Sequence, residues 1–176
     1  MKKSTLIFGL LSGIIIAIYT FIVLFAFGDF SKMSLKQFQM VETFGYLRYL
    51  ILLLTVFFAM HTYKKSSTGV NYWAVAVQGI QVALLVGVIV GIMEYCYMIL
   101  SPGFYEKYGH MYVAQMKHNG ASMEALKQVK LEMNNYKWMQ NPLMTGIFYF
   151  FETFLIGTTA ALILGIFLKN KKTQIP

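Results

Sequence analysis

The sequence predicts an all-α integral membrane protein with four transmembrane helices and an extracytoplasmic helical hairpin between the third and the fourth. Its 176 residues are 57% hydrophobic and only 12% charged, whereas soluble domains average about 25% charged residues. Charged residues are absent from several long stretches. Each has about the 20 residues that a helix needs to cross ~30 Å of hydrocarbon. We expect one domain over residues 1–176, with helices at about 4–27, 35–63, 72–100 and 141–168.

The first segment follows Lys2 and Lys3, a pattern that signal peptides share with transmembrane helices. Its apolar run is longer than the core of about 7–15 residues in a signal peptide, which favours a helix that is retained. Within it Gly9 and Gly13 form a GxxxG pattern. That pattern predicts a face that packs closely against another helix.

A capping box predicts where the second helix begins. Ser34 is followed by Gln37 three residues later, and this pair satisfies backbone N–H groups at a helix start. The helix then enters the membrane near Glu42 and carries Arg48 about six residues deeper.

Small residues recur every four positions in the third helix, at Gly79, Ala83, Gly87 and Gly91. At about 100° per residue these positions form one slowly turning groove. Glu94 lies seven residues after Gly87 and shares that face. The pattern indicates a packed helix interface with a polar group at one end.

The fourth helix has the same kind of face. Asn141-Pro142 is a typical cap and first-turn pair, which predicts its start. Gly157, Ala161 and Gly165 form the small-residue face, and Glu152 lies on a separate polar stripe.

Residues 102–140 form the longest polar region and are predicted to be a helical insertion. Ser101 is placed to cap its first helix, with Pro102 in the first turn. Asn119-Gly120 is a turn signal. The second helix is amphipathic, with one apolar stripe at Leu126, Val129, Met133 and Tyr136.

The net charge is +8, and half of the 14 lysines closely flank the apolar segments. This distribution favours anionic lipid over nucleic acid as the charged partner. Seven lysines crowd the termini and the short turn after the second helix: Lys2, Lys3, Lys64, Lys65, Lys169, Lys171 and Lys172. Their density predicts that both termini are cytoplasmic.

Arg48, Glu94 and Glu152 are expected inside the membrane. Counted from the outer helix ends, Arg48 and Glu94 lie about 9 Å deep and Glu152 roughly 16 Å deep. With Glu42 they form a predicted intramembrane charge cluster. Because an unpaired charge is costly there, we predict that Arg48 pairs with Glu94, Glu152 or both.

No catalytic, cofactor or metal motif is present in the sequence. It contains no His-Glu-x-x-His, Gly-x-Ser-x-Gly or phosphate-binding loop, and His110 and His118 lack the spacing of metal ligands. The single cysteine, Cys96, is interpreted as a small buried apolar residue. Tyrosines near the outer ends are interpreted as an aromatic belt rather than a ligand cage: Tyr46, Tyr49, Tyr95, Tyr97 and Tyr105.

Several short stretches resemble one family. They are Glu42-Thr43-Phe44-Gly45-Tyr46, residues 102–108, Asn119-Gly120-Ala121-Ser122, Asn141-Pro142, and Phe151-Glu152 followed by Gly157. These stretches look like the small bacterial membrane proteins grouped as domain of unknown function 4199. The resemblance implies four transmembrane helices with an outer helical insertion, in the inner membrane of Gram-negative bacteria. It implies no activity, and Glu42 and Glu152 match its acidic positions.

Two functions fit the sequence. The first is a membrane interaction or scaffold protein that packs through its small-residue faces and outer hairpin, as a homo-oligomer or with another membrane protein. The alternative is a small-solute or proton-coupled transporter that uses the intramembrane carboxylates. Four helices leave little room for an enclosed path, which favours the first.

Overall fold

A computed structural model describes residues 2–26, 35–67, 69–135 and 137–168. These residues form six α-helices and no β-strand. The helices are α1 Lys3–Ala26, α2 Leu35–Lys65, α3 Tyr72–Leu100, α4 Phe104–His118, α5 Met123–Asn135 and α6 Pro142–Leu168, with a short 3-10 helix, Lys137–Gln140, before α6. The predicted fold class is confirmed, because α1, α2, α3 and α6 are each long and apolar enough to cross a membrane.

Asparagine side chains cap the starts of α3 and α6. Asn71 Oδ1 accepts a hydrogen bond from the backbone N–H of Ala74 at 2.8 Å. Asn141 Oδ1 accepts from Leu143 at 2.9 Å and from Met144 at 3.3 Å. Each cap satisfies N–H groups that have no partner in the first turn of a helix.

The predicted cap of α4 was wrong. Gly103, not Ser101, precedes the first helical residue, and its φ of +74° lies in the left-handed region that favours glycine. The backbone N–H of Ser101 instead bonds the carbonyl oxygen of Tyr97 at 2.9 Å, so Ser101 closes α3. Ser34, the predicted cap of α2, lies outside the described residues.

α3 is the central helix and packs against α1, α2 and α6. In its most apolar window 56% of the residues are buried, against 28% in each of the other three long helices. The core beside it is aliphatic and almost fully buried, at Leu52, Val56, Met60, Val82 and Val86.

Small residues bring α3 and α6 together as antiparallel neighbours. A methyl group added to Gly79 would lie 2.6 Å from Ala161 Cβ, and one added to Gly157 would lie 2.6 Å from Ala83 Cβ. Since real Cβ atoms do not approach this closely, these positions depend on the absence of a side chain.

The remaining predicted small residues also face neighbouring helices of the same chain. A methyl group added to Gly87 would lie 3.1 Å from the Phe150 carbonyl oxygen, and one added to Gly165 would lie 3.0 Å from the Tyr72 ring. All of the small-residue faces therefore serve the packing of this chain.

α1 runs parallel to α3 along the GxxxG face. Gly9 lies against Leu85, and Gly13 lies against Ile89 one turn further along both helices. A buried hydrogen bond of 2.6 Å from the Thr5 hydroxyl to Gln78 Oε1 adds a polar contact near the start of both helices.

α4 and α5 form the helical insertion between α3 and α6. They contact each other where Gly109 meets the side chain of Met133. Leu126 of α5 is buried, and Ser122 Oγ accepts a hydrogen bond from the Ala125 N–H at 3.2 Å. We call the end of the bundle next to this insertion the hairpin end; its predicted extracytoplasmic position stays a prediction.

Candidate functional site at the hairpin end

One arginine joins two carboxylates from different helices. Arg48 of α2 donates from Nη1 to Glu94 Oε1 of α3 at 3.2 Å, and from Nη2 to Glu152 Oε2 of α6 at 3.3 Å. We call these three residues the charge cluster. The cluster links α2, α3 and α6, and both ion pairs proposed from the depth argument are present.

Two tyrosines complete the surroundings of the arginine. Arg48 Nη2 also donates to the Tyr49 hydroxyl at 2.6 Å. The guanidinium carbon lies 4.7 Å from the centre of the Tyr49 ring and 4.8 Å from that of Tyr149. A cation over an aromatic face is attracted by the electrons of the ring, so both rings stabilise the arginine in addition to the carboxylates.

The cluster is largely shielded from its surroundings. The side chains of Arg48, Glu94 and Glu152 are 14%, 8% and 30% exposed. The planar fork of arginine can serve two carboxylates at once. Of its five N–H donors, three make the hydrogen bonds above. One on Nη1 and the one on Nε, which is buried, have no hydrogen-bond partner among the described residues.

The fourth predicted member, Glu42, belongs to α2, but its side chain lies outside what the structure describes. Its place in the cluster therefore stays a prediction.

A cavity of about 170 Å³ adjoins the charge cluster. It lies where five helices meet, and both Arg48 and Glu94 line it. Aromatic side chains from α1, α3, α4 and α6 form much of the remaining wall: Tyr19, Tyr97, Phe104, Tyr105 and Tyr149. We call this space the cluster cavity.

A larger cavity of about 750 Å³ lies between α4, α5, the 3-10 helix and α6, and we call it the hairpin cavity. Phe104, Tyr105 and Tyr149 line both cavities. The hydroxyls of Tyr105 and Tyr149 lie 3.3 Å apart within this shared wall. Burial raises the pKa of Tyr105 above its ordinary value, so its hydroxyl stays protonated at neutral pH.

The interpretation of the tyrosines as a belt holds for only some of them. Tyr46 and Tyr95 are exposed, as a belt requires. Tyr97 is only 4% exposed, Tyr49 contacts Arg48, and Tyr105 lines both cavities. Position near a helix end does not determine which way a ring faces, and these three face the interior.

Tyr149 was not predicted from the sequence to be a residue of the site. It precedes Glu152 by three residues on α6, and residues three apart share a helix face. That spacing could have indicated that Tyr149 lies beside the charge cluster.

Cys96 is exposed, and the expectation of a buried residue was wrong. The buried residues near it on α3 are Met93, Glu94, Tyr97 and Met98. Cys96 falls on the opposite face of the same turns.

None of the described residues that line the cluster cavity is a histidine. His110 lies 3.9 Å from Glu106 within α4, and both side chains are well exposed. In the part of the chain that the structure describes, no three His, Cys, Asp or Glu residues are grouped so that they could hold a metal ion.

A family described as a protein of unknown function, DUF4199, matches residues 7–170. This range includes the charge cluster and nearly all of the four long helices. The chain belongs to the DUF4199 family. No curated protein and no solved structure matches it. DUF4199 has no assigned function, so the role of this multi-pass membrane protein is argued from the site.

Proposed function

We propose that the protein is a membrane interaction protein: a rigid four-helix scaffold whose insertion, α4 and α5, contacts another membrane protein or a second copy of the chain. The closed charge cluster is the observation that carries this proposal. Arg48 engages Glu94, Glu152 and Tyr49 together, so the buried charges are used in joining three helices. Such pairing is characteristic of a fixed scaffold.

The partner requires a surface that the fold leaves available. The small-residue faces meet helices of the same chain, so they are occupied. On α5, Met123 is 76% exposed and Leu131 is 65% exposed. Both side chains belong to the polar insertion, outside the candidate membrane spans, so lipid tails do not account for their exposure. This supports α5 as the contact surface.

Transport is the alternative, and the cluster cavity favours it because that cavity reaches Arg48 and Glu94. A path must continue to the other face of the membrane. Beyond the cluster, however, Leu52, Val56 and Val86 are at most 1% exposed. This aliphatic layer would have to open before any polar solute could pass, which favours the scaffold.

We propose the inner membrane of a Gram-negative bacterium as the location, with both termini in the cytoplasm. In a Cys96→Ala background, Leu131→Cys is expected to react with a membrane-impermeant maleimide in intact cells, because α5 would face outward. Labelling of position 131 only after lysis would reverse the orientation.

Photo-crosslinking in native membranes tests the partner surface. A photoreactive amino acid at exposed Leu131 is expected to give one discrete heavier adduct, identified by mass spectrometry and recovered reciprocally from the partner. The same group at buried Leu126 is the control and should give none. No adduct from position 131, together with proton uptake into liposomes that Glu152→Gln abolishes, would favour the transport alternative.

A further inference from the structure

We propose that the cluster cavity is a binding site for a small organic ammonium ion that carries a hydroxyl group. The inference rests on the charge of the cluster, the aromatic wall of the cavity and the unused hydrogen-bond donors of Arg48. It does not depend on the scaffold proposal, since a bundle of fixed helices can hold such a site whether or not α5 contacts a partner.

The charge of the site calls for a cation. One arginine and two glutamates sum to a formal charge of −1, and Arg48 is already shared by both carboxylates. Arg48 and Glu94 are the charged side chains that the structure places in the cavity wall, and their charges offset each other. The excess negative charge belongs to Glu152, which pairs with Arg48 but does not line the cavity. A monovalent cation beside Glu94 brings the cluster as a whole to neutrality in surroundings of low polarity.

The wall of the cavity suits an organic cation better than a metal ion. Five aromatic side chains line it, from four helices. Aromatic faces attract ammonium groups, and several faces around one cavity form the cage that recognises quaternary ammonium. Among the described residues the cavity wall has one carboxylate, from Glu94, which is fewer than the set of oxygen ligands that a hard metal ion requires.

The unused donors of Arg48 and the volume define the rest of the ligand. Arg48 lines the cavity, and Nη1 uses only one of its two N–H groups, in the bond to Glu94. A hydroxyl oxygen of the ligand can accept from the second. A volume of about 170 Å³ is about six times the ~30 Å³ that a water molecule occupies in the liquid. This space fits a molecule of about six or seven non-hydrogen atoms.

Choline serves as the probe, with the full chain purified in lipid nanodiscs at constant ionic strength. Saturation-transfer NMR of the ligand methyl protons detects binding, and a titration gives the Kd. We expect choline to bind more tightly than ethyltrimethylammonium, which lacks the hydroxyl. The uncharged carbon isostere of choline should not bind. Equal binding of the isostere, or preferential binding of propionate, would overturn the assignment of a cation.

Gly45 provides a variant that fills the cavity. It lines the cavity, and a methyl group added there would meet no heavy atom of the described residues within 4 Å. Gly45→Phe should abolish choline binding, and Gly45→Ala should weaken it less. Thr20→Met fills the same cavity from α1. It is the second blocking variant, to be used if Gly45→Phe does not fold. Binding that survives in folded blocked variants would place the choline elsewhere and refute the proposal.

The aromatic wall is tested at Tyr19, which belongs to α1 and lies outside the charge cluster. Tyr19→Leu removes a ring and is expected to weaken choline binding about 3- to 30-fold. Tyr19→Phe keeps the ring and loses only the hydroxyl, which donates to the Phe44 carbonyl oxygen at 2.7 Å; it should bind nearly as wild type does. If the two variants bind alike, the ring makes no cation–π contact and the cage is wrong.

Discussion

Arg48→Met is expected to lower the free energy of unfolding by about 3–5 kcal/mol, because it leaves two buried carboxylates without their cation. The Glu94 side chain is 8% exposed, so little solvent is available to compensate it when Arg48 is removed. Glu94→Gln should also destabilise the protein, but by less, because Arg48 keeps its ion pair with Glu152. Unfolding in mixed detergent micelles, followed by circular dichroism, measures both losses.

The double variant separates pairing from other effects. When Arg48→Met and Glu94→Gln are combined, the uncompensated charge at Glu94 disappears, and part of the loss should be recovered. Strictly additive losses would show that the two side chains do not interact. Glu106→Gln is the matched control, because its ion pair with His110 is exposed and such pairs contribute at most about 1 kcal/mol.

Glu152 should behave differently from Glu94. Its side chain is 30% exposed and so retains more solvation when Arg48 is removed. We therefore expect the coupling of Arg48 to Glu94 to exceed its coupling to Glu152 in the corresponding cycles.

The ion pairs were predictable because their geometry follows from local rules. Arg48 and Glu94 lie on helices joined by a short turn, and a rise of 1.5 Å per residue puts them at about the same depth. The same estimate placed Glu152 deeper in the membrane than Arg48, yet its side chain lies 3.3 Å from Nη2 of Arg48. The length of the arginine side chain spans the difference.

The cavities could not be predicted from the sequence. The wall of the cluster cavity combines residues from five helices, including Tyr19 of α1 and Tyr105 of α4. The direction of each ring depends on how these helices are rotated against one another. The positions of these aromatic residues near the outer helix ends predicted a belt at the membrane surface. Only the tertiary arrangement turns Tyr97 and Tyr105 inward.

The small-residue faces were visible as a four-residue period, but their partners were not. Gly91 illustrates this, because its closest neighbour on α6 is Gly146, which the sequence pattern did not single out. Gly146 precedes Gly157 by eleven residues, close to three helical turns, so the two share a face. Steps of four back from Gly157 lead to Thr145 and miss Gly146, so only the three-turn spacing of eleven residues would have found it.

Gly91→Ala is expected to lower the free energy of unfolding by about 1–3 kcal/mol, as overpacking does in protein cores. A methyl group at Gly91 would lie 2.8 Å from the Gly146 carbonyl oxygen and 3.0 Å from Phe150 Cβ. Since the first of these is a backbone atom, α3 and α6 must move apart to admit it. Gly91→Leu should cost more, because a larger side chain separates the helices further.

Gly45→Ala is the matched control for this effect. Alanine is more favourable than glycine in a helix by about 1 kcal/mol, and Gly91→Ala and Gly45→Ala both gain this stabilisation. A methyl group at Gly45 meets no atom of the described residues within 4 Å, so Gly45→Ala should be neutral or stabilising. The difference between the two variants therefore isolates the cost of forcing α3 from α6. If Gly91→Ala proves as stable as Gly45→Ala in the same micelles, the two helices do not approach each other closely at Gly91.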